Sequence, residues 1–64
     1  MIADKRKLEI AMANACMNTK ELQNAANLPR PTVNNVIVGK SVRPATIGKI
    51  AKALQCNVID ILED

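Results

Sequence analysis

TKELQNAANLPRPTVNNVIV, residues Thr19 to Val38, organises the chain. Its spacing predicts two short helices around a tight turn: Thr19 to Ala26, a turn at Asn27-Leu28-Pro29, and a second helix from Arg30 to about Val38. Leu22 and Ala26 share one helix face, as do Val33 and Val36, so the two helices can bury these faces against each other. Asn27 stands at the turn, where a left-handed backbone is needed and Asn tolerates it. Leu28 returns to the core. Pro29 and Pro31 flank Arg30, and proline fits a first helical turn because its missing amide would have no partner there. The packing leaves Arg30, Thr32, Asn34 and Asn35 on the outer side of the second helix. These are donors and acceptors of the kind that reach base edges and phosphates.

Just before this stretch, Asn18 has the cap-plus-acid spacing of a helix start with Glu21. The amides that follow Asn18 point outward and suit a phosphate oxygen, with Thr19 and Lys20 beside them. Gly39 is the expected stop of the second helix. Gly39-Lys40-Ser41 looks like the end of a phosphate-binding loop, but the motif's first glycine falls on Asn34 and no strand precedes it, so a nucleotide site is rejected. Lys40-Ser41-Val42-Arg43 reads as a loop with two cations. Pro44 opens a helix in which Ile47, Ile50, Ala51 and Leu54 make the buried stripe, with Lys49 and Lys52 on the other side. Gln55-Cys56 ends it, and Asn57 caps a short last helix with Asp60 three residues on. There Val58, Ile61 and Leu62 face inward and Ile59 is left over. Upstream, Asp4 to Ala15 is the first helix, with Asp4 as N-cap and a stripe of Leu8, Ala11, Met12 and Ala15. Lys5-Arg6-Lys7 serves solubility or phosphate contact. The expected class is all-α, a single domain over residues 1–64, with no strand.

Composition narrows the function. The chain has 64 residues, room for one small core. It has no His, and Cys16 and Cys56 form no Cys-x-x-Cys pair, so no metal site is expected. Two reduced cysteines, no leader-like segment and no apolar run of membrane length point to a cytoplasmic protein with no membrane partner. With no aromatic residue there is no platform for stacking single-stranded bases. Without His or Tyr, and with no base near either Cys, an enzyme is not expected, and no cofactor. Between Leu22 and Ile59 stand Arg30, Lys40, Arg43, Lys49 and Lys52 and no acid; the ends carry the other cations and all the acids. An acid-free middle around the two-helix stretch suits a polyanion, double-stranded DNA in particular.

From Leu8 to Leu62 the chain resembles the lambda-repressor-like DNA-binding domain of the Cro/C1 type, the XRE family. The most specific part is Gly39 to Leu62, GKSVRPATIGKIAKALQCNVIDIL: a Gly-Lys loop, a Pro-opened helix, an Ile-Ala-x-Ala-Leu helix and a capped last helix. The resemblance implies a compact five-helix domain whose second and third helices form a helix-turn-helix, the third entering the major groove. It implies base contacts at Arg30, Thr32, Asn34 and Asn35, and phosphate contacts at Asn18, Thr19, Lys20, Lys40, Ser41 and Arg43. It further implies a bacterial or phage-encoded transcriptional regulator, a repressor that binds a palindromic operator as a homodimer, with Ile59 as the candidate dimer surface. A second reading is a small interaction module, such as an antitoxin whose main partner is a toxin. Two positions depart from the pattern. Gln23 replaces the usual Ala where the helices approach, and must turn its polar end to solvent or loosen the crossing. Pro31 replaces a residue that often reads a base.

Overall fold

A computed structural model describes residues 1–63. Four helices follow one another: α1 Lys5–Asn14, α2 Thr19–Ala26, α3 Arg30–Ile37 and α4 Pro44–Ala53. Where a fifth helix was expected there is one 3-10 turn, Val58–Asp60. Asn57 N still donates to Asp60 Oδ2 at 3.1 Å, so the cap-plus-acid pattern starts a turn. It does not propagate, because a helix nucleus is costly. Val58 and Ile59 are β-branched and add little to helix propagation. The chain then leaves to pair Leu62 with Ala3 in an isolated antiparallel bridge.

The helix starts follow their side chains. Asp4 Oδ1 accepts from Lys7 N at 2.9 Å and caps α1. Asn18 Oδ1 accepts from Glu21 N at 2.8 Å while Glu21 Oε1 accepts from Asn18 N at 3.0 Å, a complete capping box on α2. Neither α3 nor α4 has a side-chain cap; each has proline in its first turn instead.

All four helices end in the same way. After each helix a backbone amide reaches back five residues to the last turn: Met17 to Met12 O, Leu28 to Gln23 O, Lys40 to Asn35 O and Cys56 to Ala51 O. The residue that makes this reversal is left-handed each time: Cys16 (φ 57°), Asn27 (φ 54°), Gly39 (φ 85°) and Gln55 (φ 55°). Gly39 adopts this conformation without strain, Asn27 at modest cost, and Cys16 and Gln55 carry a Cβ penalty.

The core is aliphatic. Leu8, Leu22, Val33, Val36, Ile47, Ile50 and Ile61 are fully buried, joined by Ala3, Ala11, Ala26, Ala51 and Leu54. Helix α2 packs most extensively on α4 and also on α3, while α1 and α4 close over the 3-10 turn. No buried polar side chain among the described residues lacks a partner.

The first residues close the structure in a way the sequence reading did not anticipate. Ala3 is only 2% exposed. Asp4 N donates to Ile61 O at 2.8 Å, and Glu63 N donates to Ile2 O at 3.0 Å. Val42 N donates to Met1 O at 2.7 Å, and the Met1 ammonium donates to Val42 O at 2.7 Å. The segment before α1 thus ties the chain end to the loop between α3 and α4.

Two stability predictions follow from this architecture. Ile61→Ala, outside any α-helix, should cost about 2–5 kcal/mol in urea unfolding, because it opens a cavity in a core this small. Gln55→Gly should raise stability by about 0.5–1 kcal/mol in the same measurement, by relieving a left-handed non-glycine residue.

Candidate nucleic-acid interface

The orientation of α3 follows from what it buries. Val33 and Val36 are at 0% exposure, pinned between α2 and the rest of the core. The opposite edge carries Arg30, Pro31, Asn34 and Asn35, all exposed, and continues to Val38, which is 62% exposed. Thr32 is half-buried on the flank toward Val36, so it shares the outer edge only in part. At 100° per residue, Pro31 stands nearer the centre of that edge than Thr32 does. Pro31 is marked in the sequence as replacing a base-reading residue, but its central place on the edge and the apolar Val38 near it were not singled out. A finer rotation of the helix wheel about Val33 and Val36 would have found both.

The start of α3 is poor in free amides. Pro29 and Pro31 have none, and Thr32 N and Val33 N both donate to Pro29 O, at 3.1 and 3.2 Å. This helix end therefore offers an anion only the Arg30 amide from its backbone, and the Arg30 side chain supplies the charge there. The start of α2 is different. Glu21 N is taken by Asn18, but the amides of Thr19 and Lys20 have no partner among the described residues. The positive end of the helix dipole adds to the field at that point.

These two helix starts meet. Thr19, Lys20, Gln23 and Arg30 line one cleft. Thr19 and Gln23 are i, i+4 neighbours on α2, and Lys20 and Gln23 are i, i+3 neighbours, so one face of α2 supplies three of the four. Gln23 is half-buried and ends among exposed residues, which resolves how a long side chain fits where an Ala is usual: it turns outward. Arg30, Lys20 and Thr19 form no side-chain hydrogen bond or ion pair with other described residues, and no carboxylate lines the cleft.

Asn18 is exposed beside this cleft, its side chain engaged in the cap. Lys40, Ser41 and Arg43 are exposed on the next loop, while Val42 between them is half-buried against the core and tied to Met1. Lys49 and Lys52 lie elsewhere. They line a shallow cleft with Asn27 at the other end of α2, where cations suit the free carbonyls of a helix terminus. The acid-free middle of the chain is thus divided between two surfaces.

Ile59 is 74% exposed on the 3-10 turn, and Ile10 is 54% exposed on α1. Between α1 and the end of α4 is a hollow lined by Ile10, Asn14, Gln55, Cys56 and Asp60, among others. Burial pushes the Cys56 thiol up, and the Asp60 carboxylate pushes it further. Among the described residues no group of three or more His, Cys, Asp or Glu is placed to hold a metal ion, and no helix is long and apolar enough to cross a membrane. A raised pKa means less thiolate at a given pH, so Cys56 should alkylate more slowly than exposed Cys16. Iodoacetamide at pH 8 followed by peptide mass spectrometry should place the first label on Cys16.

The family model for the Cro/C1-type helix-turn-helix DNA-binding domain matches residues 7–64. No curated protein and no solved structure matches the chain. The chain belongs to the Cro/C1-type helix-turn-helix DNA-binding family.

Proposed function

We propose that this Cro/C1-type domain is a sequence-specific transcriptional regulator, a repressor that acts in the cytoplasm as a homodimer on a palindromic operator. The observation that carries the reading is the exposed, acid-free edge formed by the starts of α2 and α3. It has Arg30, Asn34 and Asn35 in the middle, with unpartnered cations and amides on its border.

In this reading α3 lies in the major groove. Arg30 takes a guanine through O6 and N7, and Asn34 or Asn35 takes an adenine. Thr32 reaches a base only at its exposed flank. The amides and side chains at Asn18, Thr19 and Lys20 meet phosphates on one side, and Lys40, Ser41 and Arg43 meet them on the other. Such contacts fix the register of the helix, and about four to six per protomer make affinity fall steeply with salt.

Ile59, exposed and apolar, is the proposed contact between two copies on one operator.

Selection of bound sites from random duplex, followed by anisotropy titration, tests this reading. A palindrome with half-sites about one turn apart is the expected product. Arg30→Ala should cost about 1–3 kcal/mol of discrimination at one base position. Lys40→Gln with Arg43→Gln should weaken binding to all duplexes alike and lower the salt slope by about 2. Ile59→Asp should weaken operator binding and leave single half-site binding unchanged. Equal affinity for every sequence would overturn the reading.

A further inference from the structure

We propose that Pro31 and Val38, the apolar pair on the midline of the outer face of α3, read the C5-methyl groups of two thymines. The inference rests on the reading above that α3 enters the major groove.

The rotation of α3 fixes where these residues stand. Val33 and Val36 are at 0% exposure and mark the inward direction. At about 3.6 residues per turn, Pro31 and Val38 each lie about 10° from the direction opposite to it, and Asn34 and Asn35 about 50° to either side. Val38 belongs to this face although α3 ends at Ile37. Its backbone is right-handed (φ −81°, ψ −1°), and its amide donates to Asn34 O at 2.9 Å. Pro31 is exposed, and among the described residues Val38 is the one large aliphatic side chain left exposed on this edge. The pair can take only one feature of a base pair. Neither side chain has a polar atom, and Pro31 lacks an amide proton as well. The thymine methyl is the apolar group that base pairs present in the major groove. Covering it with Val38 removes from water apolar surface that the single domain leaves wet. Exposed Arg30 and Lys40 flank the pair in the chain, and no acid stands between Leu22 and Ile59, which suits a duplex as the occupant of this face. Seven residues of helix set Pro31 and Val38 about 10 Å apart along the axis, a span of about three base pairs.

Replacing thymine by deoxyuridine deletes the methyl and keeps every hydrogen-bonding group, and this arm of the test uses the unaltered protein. Each thymine of the selected operator is changed in turn, and affinity is measured by anisotropy on the full operator and on a single half-site. On the half-site, two positions about three base pairs apart should each lose about fourfold in affinity, the contribution of one buried methyl. Val38→Ala should abolish the loss at one of these positions and Pro31→Ala at the other, with the salt slope unchanged. Thermal unfolding of each variant separates a loosened fold from a lost contact. Deoxyuridine operators bound as tightly as thymine operators would overturn the proposal and leave the groove reading standing. Methyl effects that persist in both variants would overturn it in favour of other readers on the same helix. A Val38→Ala loss confined to the full operator would make Val38 a contact between copies, which also overturns it. If no preferred sequence can be selected, the groove reading fails and the methyl assignment fails with it.

Discussion

Helix α2 is buried from two directions, and this burial sets the rest of the molecule. Leu22 is wholly inaccessible and Ala26 nearly so, with α4 packed on one flank and α3 on the other. Two apolar residues one turn apart can satisfy both neighbours only if the helix presents a narrow seam, and the small Ala26 lets the neighbours come close. The remaining face of α2, Thr19, Lys20 and Gln23, is then forced outward. Val33 and Val36 impose the same division on α3. Arg30, Asn34 and Asn35 become exposed because the valines cannot be. The polar edge of the domain is therefore a consequence of its core, at a cost of no buried unpaired polar group among the described residues.

The chain holds this arrangement with little surface. Without an aromatic side chain, burial comes from Leu, Ile, Val and Ala, each contributing about 1.5–3 kcal/mol at most. Sharp helix ends matter more under those terms, because a frayed turn would uncover a large share of the core. Four repeats of one reversal provide them, with only one glycine among the four positions. The strain at Cys16 and Gln55 is tolerated because the residues just before and after, Ala15 and Met17, Leu54 and Cys56, pack against the core.

Local chemistry made most of this legible. Caps at Asp4 and Asn18, the prolines at 31 and 44, the left-handed Asn27 and the stop at Gly39 all act within a few residues, so periodicity and turn chemistry locate them. Helix α2 begins and ends where its cap and its turn residue demand. What escaped depends on distance in the chain. Ala3 is an unremarkable small residue until Leu62 is placed beside it. The last helix was over-read because a cap and an acid report a start, and nothing local reports that the chain must leave to reach Ala3. Left-handed Cys16 and Gln55 escaped because neither type advertises that conformation. At the candidate interface the outer edge of α3 was legible from the valines, but the emphasis on Thr32 over Pro31 came from looking for polar atoms before measuring rotation.

The tie between Met1 and Val42 links these structural facts to the proposed chemistry. A four-residue loop carrying Lys40, Ser41 and Arg43 would ordinarily be the most mobile part of such a domain, since it follows a helix stop and precedes a proline. Here its centre is held twice. Val42 exchanges a pair of 2.7 Å hydrogen bonds with Met1, and its side chain packs against the core. Because alternate residues of an extended segment point opposite ways, burying Val42 turns Ser41 and Arg43 outward. A loop fixed before any ligand arrives loses less entropy on binding, so the same cations give more affinity than they would on a free loop. The segment before α1 contributes nothing to the exposed edge, yet it orders one border of it. It also pairs with the segment after the 3-10 turn through Ala3 and Leu62, so one short stretch of backbone joins that turn to the loop.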